Sequence, residues 1–283
     1  MVRKKNVIAI MSPKGGVGKT VTTANLAAAL ALFYDKKVLA VDTNVSTASL
    51  GLHFNIFYPK YTIHDVLKKN IVRKSIHVYN QNLHLIPASI KVSKKSKNIK
   101  DIREELFNLI QKYEEFLEEI SSEYDLVFLD CAPGFDLETL AAIHVAGGLI
   151  IVTNPDYPSI VTAARAIEYA RKTKMPVGGI VLNKVRKKKY ELKKADIEKV
   201  LRIKILEEIP YDKKIPESIA NKKPVVLFKK NSKSSKAFQK LAANIVGEKY
   251  SGSWTERILN KLRENINKSL KIKKSSKISK KRW

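Results

Sequence analysis

Short apolar runs of strand character alternate along this chain with stretches of helical spacing. The strand-like runs are Val7–Met11, Lys37–Val41, Leu83–Pro87, Asp125–Asp130, Gly148–Thr153, Gly178–Leu182 and Ile205–Ile209. Between them, Val21–Phe33 is alanine-rich and reads as a helix. Asp101–Ile120 sets Ile102, Leu106, Leu109, Tyr113, Leu117 and Ile120 on one face, as expected of a helix lying on a sheet. Strand and helix in alternation predict an α/β fold, a doubly wound and mostly parallel sheet flanked by helices with right-handed crossovers. No internal repeat is visible. Lys91–Lys100 and Arg186–Lys189 read as solvated basic loops.

Length and composition fit this picture. A chain of 283 residues with 44% hydrophobic content can fill one large α/β domain with some length to spare. We place that domain at residues 1–248 and a basic tail at 249–283. Arg3, Lys4 and Lys5 lead straight into the first strand, so no secretory leader is expected. The longest mostly apolar stretch, Leu140–Thr153, contains His144 and is too short to span a bilayer. The single cysteine, Cys131, excludes an internal disulfide and suits a reducing compartment.

Charge adds a partner. Lys and Arg number 54 against 27 Asp and Glu, a formal net charge of +27. Such an excess favours a polyanion, either nucleic acid or anionic lipid headgroups. A generally lysine-rich proteome would also account for it. Residues 251–283 hold eleven basic and two acidic side chains, a net +9, so the remainder is basic as well.

The chemistry is concentrated in Pro13-Lys-Gly-Gly-Val-Gly-Lys-Thr20, set between a strand and a helix. Glycines let successive backbone N–H groups turn inward around a phosphate. A lysine then reaches the β and γ oxygens, and a hydroxyl ligates Mg²⁺. Gly15, Gly16, Val17, Gly18, Lys19, Thr20 and Val21 supply these parts, and Lys14 is a second cation that the ordinary loop lacks. The run Tyr124–Asp130 ends an apolar strand in a carboxylate, which marks Asp130 as a holder of the magnesium water shell.

Lys-Gly-Gly-Val-Gly-Lys-Thr, residues 14–20, resembles the signature of the deviant Walker A ATPases, the MinD/ParA family, to which the nitrogenase iron protein is related. Archaeal-type MinD proteins resemble it most. The resemblance runs from residue 6 to about 248. It implies an ATPase that uses ATP and Mg²⁺, in which Lys14 crosses a homodimer interface to the partner's nucleotide. By the same resemblance, Asp-Cys-Ala-Pro-Gly134 is the second switch, and Asp42 ends the first switch strand as a catalytic and metal-site residue alongside Thr20 and Asp130. The family commonly has a second acid two residues after Asp42 to handle the attacking water; here it is Asn44. An amide orients water without accepting its proton, which implies slow turnover stimulated by a partner protein. Asn183 is implied to bond the adenine, with Pro210 and Asp212 in the loop that closes over it. The relatives' iron–sulfur cluster needs two cysteines per subunit, and this chain has one.

In the tail, Ser253-Trp-Thr-Glu256 reads as a capping box, and Trp254, Ile258, Leu259, Leu262, Ile266 and Leu270 fall on one side of a helix opposite basic residues. That is the composition of an interfacial membrane helix, similar to the membrane-targeting helix of MinD proteins. Thr255, Asn265 and Ser269 interrupt the apolar arc. The leading expectation is a MinD-like spatial regulator that dimerises on ATP and gathers at an anionic membrane. The alternatives are a ParA-like partitioning ATPase that binds DNA without sequence preference, and a nucleotide-gated scaffold with negligible hydrolysis.

Overall fold

The expected strands pair because their side chains are buried on both faces of one sheet. In this computed structural model the described residues are 4–44, 48–69, 71–89, 99–248 and 250; the proposed tail helix and most of the Lys91–Lys100 loop lie outside them. In chain order the elements are β1 (Lys4–Met11), α1 (Lys19–Phe33), β2 (Val38–Asp42), α2 (Ile63–Lys69), α3 (Val72–Ser75), β3 (His77–Asn80), β4 (Leu83–Ile86) and α4 (Ile99–Ile120). There follow β5 (Leu126–Asp130), α5 (Leu137–Val145), β6 (Ala146–Thr153), α6 (Tyr157–Lys172), β7 (Val177–Val185), α7 (Lys194–Leu201), β8 (Ile205–Pro210), α8 (Lys214–Ala220), α9 (Val225–Phe228) and α10 (Lys233–Val246).

The eight strands form one sheet in the order β3-β4-β2-β5-β1-β6-β7-β8. Neighbouring strands run parallel throughout except β3, which pairs antiparallel with β4 at the edge. β3 is the strand that the hydrophobic pattern misses. Its four residues include an exposed Val78, so it presents no apolar run to read. The other seven appear where expected, with β7 extending to Val185 through a register shift between Leu182 and Val185.

The sheet separates two cores. Tyr113, Phe116, Leu117 and Ile120 of α4 pack with Ile143 of α5, Ile167 of α6 and Ile197 of α7 on one face. On that helix Ile102 is exposed, and the apolar stripe meets the core from Leu106 onward. The other face is covered by α1 and α10, through Leu26, Leu30, Phe238 and Leu241. Twelve of the fifteen residues of α1 are buried, and alanine lets the helix lie this close to the sheet on all sides. No helix among the described residues is long and apolar enough to cross a membrane.

Candidate nucleotide site

Parallel strands put their carboxyl ends on one edge, and a glycine loop there aims α1 at the opening. Gly18 is the N-terminal flanking residue of α1, with φ 102° and no side-chain cap, so the first N–H groups of the helix are left for a ligand. A Cβ at Gly18 would stand 2.1 Å from Nδ2 of Asn183, so both the backbone angle and the close approach demand glycine.

A cleft of about 470 Å³ opens above this loop, within the size range of small-molecule sites. Gly15, Gly16, Gly18, Lys19, Thr20 and Val21 form its floor, Asn44, Ser49 and Pro133 one flank, and Asn183, Pro210, Tyr211 and Asp212 the far end. Ile215, Pro216 and Ile219 of α8 add an apolar wall beside that end, suited to a flat base. Asn183 donates from Nδ2 to the carbonyl of Val17 at 2.7 Å, while its Oδ1 is buried and has no hydrogen-bond partner among the described residues. A buried acceptor without a donor fits an amino group such as that of adenine.

Several expected site residues contribute differently from a direct contact. Val17 is fully buried and takes part through its carbonyl. Asp212 lines the cleft, but its carboxylate accepts from the backbone N–H of Lys214 and from the N–H and hydroxyl of Ser234, closing the loop before α10. Asp42 and Asp130 sit behind the floor as register partners on β2 and β5, both fully buried. Asp42 accepts backbone N–H bonds from Asn44, Ser49 and Leu50 at 3.0 Å each, and so fastens these three residues to the end of β2. Burial and the neighbouring Asp130 raise it to about 7. Burial raises Asp130 to about 6, against hydrogen bonds from Thr20 and Thr23. Burial also lowers Lys19, with Asp130 opposing. The floor therefore holds charges whose compensation is incomplete.

Lys14 does not line the cleft. Its Nζ lies 2.9 Å from Ser159 Oγ and 3.2 Å from Asp156 Oδ1, at the start of α6. Asp156 is the N-cap of that helix, accepting from Ser159 N at 2.9 Å. Burial acts to raise Asp156, but the bonds from Ser159 and Lys14 outweigh it and hold the carboxyl below its ordinary value. The sequence offered no sign of this pairing, since 142 residues separate the partners. Lys184 is the other residue that the pattern passed over. An alternating strand sends the neighbour of an inward Asn183 away from the cleft.

The oxygen-rich floor is compatible with a hard divalent cation. Asp130 Oδ2 is buried and has no hydrogen-bond partner among the described residues, and Thr20 supplies a hydroxyl beside it. An iron–sulfur cluster does not fit. The chain's one cysteine, Cys131, is buried, and burial pushes its thiol up to about 12.

A strand, a glycine loop and an uncapped helix start beneath such a cleft define a P-loop nucleotide-binding protein. The AAA domain family matches residues 5–176, and the NifH/frxC family of 4Fe-4S cluster-binding proteins matches residues 107–268. An ATP-binding protein of Methanocaldococcus jannaschii is 34% identical over 242 residues, 85% of this chain and 88% of that protein. The cell division ATPase MinD of Pyrococcus furiosus superposes with a TM-score of 0.76 at 30% identity, covering 86% of this chain and 99% of that one. The septum site-determining protein MinD of Pyrococcus horikoshii, solved with Mg-ADP, gives 0.73 at 28% identity, covering 87% and 96%. The chain belongs to the MinD/ParA family of P-loop ATPases.

Proposed function

We propose that this protein is an ATP-dependent spatial regulator of the MinD type, which dimerises in its ATP state and resides on an anionic membrane surface through its basic tail. The observation that carries the reading is the position of Lys14. A loop lysine held at the rim on Asp156, outside its own cleft, is placed to be handed to a facing copy. Lys19 stays in the cleft and serves the bound nucleotide in cis.

In this reading Asn183 Oδ1 accepts from the adenine amino group, and the wall of α8 covers the base. Thr20 and Asp130 would hold a magnesium ion, with Asp42 behind them, and such an ion would supply charge neutralisation for the phosphates. Lys19, desolvated and short of counter-charge, gains a full partner in the phosphates. Asn44 lines the cleft with its backbone N–H fastened to Asp42, so its amide can orient a water there without taking its proton. Turnover is then slow until a partner protein completes the site. Negligible phosphate release even with cell extract added would make the protein a scaffold.

A specific feature supports nucleic acid as the alternative surface. Beyond Tyr211 a cleft is lined by Arg186, Lys187, Lys188, Lys233, Lys236 and Lys240 against two carboxylates, Glu207 and Glu208, so it is basic on balance, and the Arg186 guanidinium lies 3.8 Å from the centre of the Tyr211 ring. A concave basic groove with an aromatic wall admits a phosphodiester strand better than a flat bilayer. Co-sedimentation with anionic vesicles and with duplex DNA, each with ATP or ADP, separates the readings. The membrane reading expects ATP-dependent vesicle binding that is lost when the chain is cut at residue 250. Binding that survives the cut would refute the role given to the tail, and ATP-dependent DNA binding alone would favour the alternative.

A further inference from the structure

Two consecutive residues of β7 hold two consecutive carbonyls of the glycine loop. Asn183 Nδ2 donates to Val17 O and Lys184 Nζ donates to Gly16 O, both at 2.7 Å. Neighbours in a regular strand point to opposite faces, so they cannot both reach one loop. Here the register with β8 shifts between Leu182 and Val185, and Lys184 has φ 58°. A bulge of this kind re-aims a side chain, and the left-handed backbone of a non-glycine residue is a local cost that the surrounding structure must hold in place. Asn183 and Val185 on either side are buried, which fixes the bulge.

We infer that Lys184 is a positioning residue of the nucleotide site, a clamp that keeps the Gly15–Gly16 segment in its phosphate-binding shape. Gly16 has φ 72°, and glycine at such a turn has wide freedom in the absence of a ligand. Lys19 also bonds a loop carbonyl, that of Lys14 at 3.4 Å, but it must leave for the phosphates on binding. Lys184 can stay. Its ammonium lies on the carbonyl side of the loop, so it holds the peptide with N–H groups inward and adds a third positive charge at the rim of the cleft. Pre-ordering of this kind acts on nucleotide affinity rather than on the chemical step.

The inference rests on the reading of the cleft as a nucleotide site. The full-length protein is titrated with a fluorescent ATP analogue and assayed for phosphate release, alongside Lys184→Met, Lys184→Gly and Lys184→Arg. A charge-assisted hydrogen bond at an exposed position is worth roughly five- to tenfold in affinity. Lys184→Met should weaken binding and raise KM by about that factor with kcat within about twofold. Lys184→Gly, which relieves the backbone angle but removes the clamp, should behave the same, and Lys184→Arg should restore affinity. Wild-type affinity in Lys184→Met or Lys184→Gly, or failure of Lys184→Arg to differ from Lys184→Met, would overturn the inference. Absence of nucleotide binding by the unaltered protein would instead refute the reading of the cleft and the inference with it.

Discussion

Replacing Asp156 by Asn should make ATP-driven dimerisation easier. In the monomer Lys14 is held at 3.2 Å from Asp156 Oδ1, with side-chain exposures of 37% and 45% for the two partners. At that exposure solvent screens the pair, so its worth is about 0.5 kcal/mol and well below a buried bridge. A face-to-face dimer releases two such pairs, a cost of about 1 kcal/mol or roughly fivefold in the dimerisation constant. Asn is the right substitution because it caps a helix as well as Asp does, so the bond from Ser159 N to the cap of α6 is kept while the charge goes. Ala would also remove the cap, at about 1 kcal/mol of stability. Sedimentation velocity over a protein dilution series, with a slowly hydrolysed ATP analogue, measures the constant. The gain should shrink in about 0.5 M salt, where exposed pairs are already screened. An unchanged or weaker dimer in Asp156→Asn would show that Asp156 does not restrain Lys14, and would remove the main support for the trans-acting lysine.

Further outcomes follow from the buried floor. Asp42 and Asp130 are raised to about 7 and about 6, above unfolded carboxylates near 4. Between about pH 4 and 7 the folded protein therefore keeps protons that the unfolded chain has lost, and stability falls as pH rises through this window. Calorimetry of the nucleotide-free protein should show that decline, and Asp130→Asn, which leaves the burial of Asp42 in place, should lessen it; a slope of opposite sign would refute the coupling. Gly18→Ala combines φ 102° with a Cβ 2.1 Å from Asn183 Nδ2, so it should cost about 2 kcal/mol or more and abolish nucleotide binding in a fluorescence titration. Asn44→Asp should raise basal phosphate release by about tenfold, because a carboxylate can accept the water proton where an amide cannot; no change or a loss would refute the role given to Asn44.

The sequence itself determined the features that depend on neighbours along the chain. Apolar runs such as Leu126–Asp130 declare strands because burial on both faces leaves few polar positions. The glycine loop and α1 are legible because backbone freedom and alanine propensity are local properties. The count of one cysteine is likewise read from the sequence, and it falls short of the two per subunit that the relatives' iron–sulfur cluster needs. What the sequence could not show is what the sheet order and its irregularities create. β2 and β5 lie side by side although α2, α3 and α4 separate them along the chain, and only that pairing sets Asp42 against Asp130. The bulge that turns Lys184 onto Gly16 arises from register against β8, which no strand periodicity encodes. Lys14 was visible as a surplus cation, but its hold on Asp156 depends on β1 and β6 being neighbours, which brings the start of α6 beside the glycine loop. Local patterns encode backbone conformation and burial, whereas charge pairing and side-chain reach depend on distances that exist only once the sheet is assembled.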